Sequence, residues 1–103
     1  MMTIMEILNS LGIPAAYGRF QTEQTPPYVV YLGGGQAQFL ADDTYYKRRE
    51  EYSVEYYFRK KNAEAETALE NAFLQAGWRY DKSEDVYLED ERIFVIYYTT
   101  WQR

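Results

Sequence analysis

Residues 44–60 read Thr44-Tyr45-Tyr46-Lys47-Arg48-Arg49-Glu50-Glu51-Tyr52-Ser53-Val54-Glu55-Tyr56-Tyr57-Phe58-Arg59-Lys60, and their alternation decides the fold. Tyr52, Val54, Tyr56 and Phe58 recur at every second position with Glu51, Ser53 and Glu55 between them. That is the period of a β-strand with one core face and one wet face. Extended at ~3.3 Å per residue, the whole run would span roughly 50 Å, against ~17–20 Å for a typical strand. Its polar first half is therefore expected to project from the core as part of a long β-hairpin, an arrangement suited to assembly.

Upstream, Thr3-Ile4-Met5-Glu6 fits a capping box, in which the threonine hydroxyl and the glutamate carboxylate satisfy each other's backbone N–H groups. Ile4, Ile7, Leu8 and Leu11 then recur at helical spacing, and Gly12 followed by Pro14 stops the run. The spacing predicts a helix from Thr3 to Leu11. A short strand is expected within Ala15 to Phe20, and a further one over Tyr28-Val29-Val30-Tyr31-Leu32, led in by Pro26-Pro27. Gly33-Gly34-Gly35 is expected to break that strand, leaving Gln36 to Leu40 as a short strand or extended loop.

Downstream, Asn62 can cap a second helix with an apolar stripe of Ala65, Ala68, Leu69, Ala72, Phe73 and Ala76, with Glu64 and Glu66 near its positive end. Gly77 ends it. Strands are expected at Trp78-Arg79-Tyr80, Val86-Tyr87-Leu88 and Arg92 to Trp101, separated by turns at Asp81 to Asp85 and Glu89-Asp90-Glu91. The stretch Ile93 to Tyr98 is apolar on both faces, which implies either a central strand or an edge completed by another subunit. Runs of strands separated by helices predict an α+β domain over residues 1–103, a mainly antiparallel sheet packed against two helices.

The composition of the 103 residues narrows the function classes. Twelve tyrosines stand beside no histidine and no cysteine, so aromatic contact surface is plentiful while thiolate, disulfide and imidazole chemistry is lacking. The net charge of −5 argues against general nucleic-acid binding. Met1 to Glu6 has no basic leader, so secretion through a signal peptide is not expected, and no apolar run approaches the ~20 residues of a membrane span.

Several clusters have an ordinary reading beside a functional one. Gly33-Gly34-Gly35 is not followed by Lys-Ser or Lys-Thr and opens no helix, so a hairpin loop is favoured over a phosphate loop. Asp81, Glu84, Asp85, Glu89, Asp90 and Glu91 match no calcium-loop spacing, and solvated turn carboxylates are expected. Asp42-Asp43 reads as turn chemistry. The basic triplets Lys47-Arg48-Arg49 and Arg59-Lys60-Lys61 suit strand ends, where cations discourage edge pairing, or a contact with an acidic partner or with DNA in a channel. Ser10, Ser53 and Ser83 have no histidine to activate them, so no catalytic residue, cofactor or metal is expected.

Taken together, Leu11-Gly12-Ile13-Pro14, Pro26-Pro27-Tyr28-Val29-Val30-Tyr31, the strand from Asp42-Asp43-Thr44-Tyr45-Tyr46 to Phe58, the helix from Leu69 to Gly77, Tyr80-Asp81-Lys82 and Ile96-Tyr97-Tyr98 carry a resemblance. The chain resembles the small tail-completion or tail-terminator (head–tail joining) proteins of long-tailed phages and prophages. The resemblance implies a structural virion protein that is not an enzyme. Such proteins form a homo-oligomeric ring, commonly sixfold, that stops growth of the tail tube and receives the filled head.

The implied partners are further copies of the chain, the tail-tube protein and a head-closure or connector protein, with DNA passing through the lumen without specific binding and no membrane involved. The implied location is the head–tail junction, reached from the host cytoplasm during assembly. Candidate interface residues are Tyr45, Tyr46, Lys47, Arg48 and Arg49 on the arm and Asp85, Glu89, Asp90 and Glu91 in the acidic turns. Two alternatives stand beside this reading: another connector ring (head-closure or adaptor), or an acidic DNA-mimic inhibitor of a host nuclease, although the basic triplets would interrupt a phosphate-like surface.

Overall fold

A computed structural model describes residues 3–41 and 45–102, with the backbone alone for 34–41 and 45–50. The elements are α1 (Ile4–Asn9), β1 (Ala15–Tyr17), β2 (Tyr28–Ala41), β3 (Tyr45–Phe58), α2 (Ala63–Gln75), β4 (Trp78–Lys82), β5 (Val86–Leu88) and β6 (Ile93–Gln102). They build an α+β fold in which six strands form one sheet in the order β1-β2-β3-β6-β4, with β5 also paired to β6. All pairings are antiparallel except β1 with β2.

The ends of the helices follow local chemistry. Thr3 Oγ1 accepts from the Glu6 N–H at 3.2 Å and Glu6 Oε1 accepts from the Thr3 N–H at 3.0 Å, closing the capping box. The helix ends at Asn9 rather than Leu11. The Leu11 N–H reaches back only three residues, to the Leu8 carbonyl at 3.2 Å, as the chain tightens into Gly12 at φ 76°. On α2, Asn62 Oδ1 accepts from the Ala65 N–H at 3.2 Å, and Gly77 at φ 83° turns the chain away.

One face of the sheet meets both helices. Val54, Tyr56 and Phe58 of β3 are buried there with Val29 and Tyr31 of β2, Ile96 and Tyr98 of β6, Ile4, Ile7 and Leu8 of α1, and Leu69 and Phe73 of α2. Full burial of a side chain the size of Leu69 or Phe73 contributes about 1.5–3 kcal/mol, which is what holds these short helices on the sheet. Ala68, expected in the apolar stripe, is exposed, and Glu66 is buried in its place.

Two expectations are corrected by the structure. Gly33-Gly34-Gly35 does not break β2, which continues to Ala41. Between Gly33, opposite Tyr52, and Gln36, opposite Glu50, β2 takes one more step than β3, so a bulge absorbs the glycines while the ladder goes on. Of the two readings of Ile93 to Tyr98, the pairing bears out the central strand, with β3 on one side of β6 and β4 and β5 on the other. The second correction concerns the face opposite the helices, which is not simply wet. Val95 and Ile93 are buried on it, and residues of the segment after β1 line a cleft there with Val30 and Ile93.

β3 outlasts its neighbour. Its pairing with β6 stops at Glu51 opposite Trp101, whereas among the described residues Tyr45 to Glu50 pair with β2 alone. The turn Asp42-Asp43-Thr44, which would close the expected long projecting hairpin, lies outside the described residues.

Candidate interaction surface

Two groups of polar side chains organise the surface, one structural and one open. The first ties α2 to the sheet. Glu66, 4% exposed, sits with Lys61 Nζ 2.8 Å from Oε2 and Lys82 Nζ 3.0 Å from Oε1. Lys82 also pairs with Glu70 Oε2 at 2.7 Å, and Lys61 with Asp85 at 2.9 Å. Tyr98 and Tyr80 donate hydroxyl bonds to Glu70 at 2.7 and 3.3 Å.

The network shifts its own members. Hydrogen bonds to Glu66 and Asp85 raise the Lys61 ammonium, and the bond to Glu70 does so for Lys82. At Glu70, burial pushes the carboxyl up, but the bonds from Lys82, Tyr98 and Tyr80 outweigh it and hold the group below its ordinary range. A buried charge removed from such a set leaves its partners uncompensated, so the network fixes the position of α2.

The second group surrounds a cleft of 440 Å³ on the face opposite the helices, within the size range of ligand and side-chain pockets. Arg19, Glu23, Pro26, Glu55, Arg59 and Glu91 are among its lining residues, gathered from the segment after β1, from β3 and the residue just after it, and from the β5–β6 turn. Three aromatic residues also line it: Tyr28 and Tyr57 stack at 4.9 Å between centroids, and Phe20 meets Tyr28 edge-on at 5.5 Å. The Tyr57 hydroxyl donates to Glu55 Oε1 at 2.6 Å.

Both tyrosines are raised above their ordinary value. Burial is the main cause at each, followed by the Glu55 bond for Tyr57 and by the charges of Glu91 and Glu23 for Tyr28. The cleft combines stacked tyrosines with three carboxylates, Glu23, Glu55 and Glu91, and two guanidinium groups, Arg19 and Arg59.

No known family model and no curated protein matches the chain. Among the described residues no group of three or more acidic, histidine or cysteine side chains is arranged to hold a metal ion, and no helix is long and apolar enough to cross a membrane.

The candidate interface residues divide into three sets. Tyr45, Tyr46, Lys47, Arg48 and Arg49 lie on the stretch of β3 that pairs only with β2, and their side chains are outside the described residues. Asp85 is held by Lys61 of the same chain, so this candidate carboxylate is already paired internally. Glu89, Asp90 and Glu91 are exposed, and Glu91 belongs to the cleft.

Glu23, Glu55, Arg19, Arg59, Tyr28 and Tyr57 were not singled out as a cleft by the sequence. The alternation of β3 does place Glu55 and Tyr57 on one face, but the register that sets Tyr28 opposite Tyr57 has no local signal. Exposed large apolar side chains, including Tyr17, Leu32, Tyr87 and Tyr97, add contact surface beyond the cleft.

Proposed function

We propose that the chain is a structural virion protein of the tail-completion or tail-terminator kind, forming a ring that ends the tail tube and joins it to the head connector. The observation that carries this reading is the stretch of β3 from Tyr45 to Glu50, which pairs with β2 beyond the reach of β6. In this reading β2, β3 and the turn between them form a long projecting hairpin that contacts neighbouring subunits. The exposed tyrosines Tyr17, Tyr87 and Tyr97 supply further contact surface whose rings can be buried while the hydroxyls stay wet. The ring is sixfold, and it stands at the head–tail junction after assembly in the host cytoplasm.

The test is affinity purification of the tagged chain from cells producing the phage, with mass spectrometry of what accompanies it. Recovery of the tail-tube protein with head-closure components supports the reading. Recovery of head components without the tube protein moves the chain to an adaptor or head-closure ring. Recovery of a host nuclease alone overturns the connector in favour of a DNA-mimic inhibitor.

A further inference from the structure

The cleft and the arm lie toward opposite ends of the same strand. Glu55 and Tyr57 belong to the end of β3 that adjoins α2, with Arg59 just beyond it, whereas Lys47, Arg48 and Arg49 belong to its beginning. Arg49 is six residues before Glu55 and Lys47 ten before Tyr57, which in extended chain is roughly 20–33 Å. The arm of one copy therefore does not reach its own cleft.

The charges of the two regions complement each other. Glu23, Glu55 and Glu91 surround the cleft, and exposed Glu89 and Asp90 extend the acidic rim in the same turn as Glu91. The arm carries three consecutive cations followed by Glu50. The cleft's own cations, Arg19 and Arg59, would repel an all-basic segment, but Glu50 offers them an anion. An all-anionic ligand such as a phosphate would instead meet three carboxylates. A segment of mixed charge led by cations fits best, and the chain itself contains one.

We infer that the cleft lined by Glu23, Glu55 and Glu91 receives the Lys47-Arg48-Arg49 arm of a second copy of this chain. The inference rests on the ring reading and supplies its subunit contact. Donor and acceptor are different surfaces toward opposite ends of one strand, so the contact is heterologous and propagates head to tail, closing into a ring when its rotation allows. It also revises the acidic partner surface, replacing Asp85, which Lys61 occupies, with Glu23 and Glu55. Because the attraction is between charges at an open rim, assembly weakens as salt rises.

The test is a charge exchange read by light scattering after size exclusion. One variant reverses the arm (Arg48→Glu with Arg49→Glu). The other reverses the rim (Glu23→Arg with Glu91→Arg), leaving Glu55 to accept its Tyr57 bond. Each variant alone is expected to lose the oligomer while keeping the wild-type circular dichroism spectrum. Mixed in equal amounts, they are expected to recover it, since the acidic arm then meets a basic rim and the basic arm an acidic one.

Variants that retain the wild-type mass, or a mixture of folded variants that stays monomeric, overturn the arm-in-cleft contact and leave the ring reading standing. A wild-type chain that stays monomeric, alone and with the tail-tube protein, overturns the ring reading itself.

Discussion

Tyr98 of β6 donates a hydrogen bond of 2.7 Å to Glu70 Oε2 of α2, joining the central strand to the helix that covers it. Tyr98 is 1% exposed, so its hydroxyl has little access to water as an alternative partner. Removing the hydroxyl while keeping the ring isolates this bond from the packing around it. Tyr98→Phe is expected to lower stability by about 1.5 kcal/mol, the lower end of the range for a bond to a charged group, because Lys82 and Tyr80 remain on Glu70. Denaturant unfolding at neutral pH checks it: the midpoint should fall with the slope unchanged, and an unmoved midpoint would show that the bond is energetically silent.

The same carboxylate makes the fold acid-sensitive. Glu70 is held below its ordinary value of 4.5 in the folded chain. Its contribution is therefore complete above the unfolded value and is lost as pH falls through the depressed folded one. Unfolding midpoints measured from neutral pH down through the carboxylate range should fall more steeply for the wild type than for Glu70→Gln. Parallel curves would remove Glu70 from the acid limb.

At the alkaline side the sign reverses. Tyr57 is raised above its ordinary value of 10.0, by burial first and the Glu55 bond second. Its contribution is present below that value and is lost as pH rises toward the folded one. Tyr57→Phe should accordingly lose less stability than the wild type between neutral and strongly alkaline pH. In an ultraviolet titration the wild type should retain one more late-ionising tyrosine than the variant, and identical titration curves would contradict the placement of Tyr57.

Backbone geometry predicts opposite signs for two glycines. At Gly77, φ 83°, an added methyl group meets nothing within 4 Å, so Gly77→Ala costs only the left-handed backbone, about 1–2 kcal/mol. At Gly33, in β2, the methyl would stand 3.5 Å from the Tyr17 hydroxyl, an ordinary contact, and Gly33→Ala should stabilise by about 0.5 kcal/mol. Thermal or denaturant unfolding of the pair checks both, and a shared sign would contradict the geometry.

Loss of the α2 cap supplies a calibrating value. Asn62→Ala removes the acceptor of the Ala65 N–H and should cost about 1 kcal/mol by the same unfolding measurement. A change indistinguishable from zero would mean that α2 is held by its ion pairs and core face alone.

These particular residues show which parts of the fold were legible. Thr3, Asn62 and Gly77 act on groups three or four residues away, and the alternation from Tyr52 to Phe58 repeats every two. Such short-range rules depend on backbone sterics and on the burial of one face, so they can be read without knowing the partner strands. Glu66 shows the opposite case. In the sequence it is a first-turn acid facing the helix dipole, but Lys61 and Lys82, five residues before it and sixteen after, make a buried position tolerable. The glycine triplet was misread for a related reason, since a bulge is a property of two strands and only one was visible.

By itself the sequence determined the class of the fold, two capped helices on a mainly antiparallel sheet, and the direction in which the core face of β3 points. It also determined that the chemistry available is aromatic and carboxylate, without imidazole or thiol. The tertiary structure alone decided that β6 is central, that Asp85 is occupied by Lys61, and that Glu23, Glu55 and Glu91 meet around the stacked Tyr28 and Tyr57. The physical reason is that strand order and register are chosen by the free energy of the whole buried face, summed over residues distant in the chain. Local propensity says that a strand forms, while only its partners say which charges it brings together.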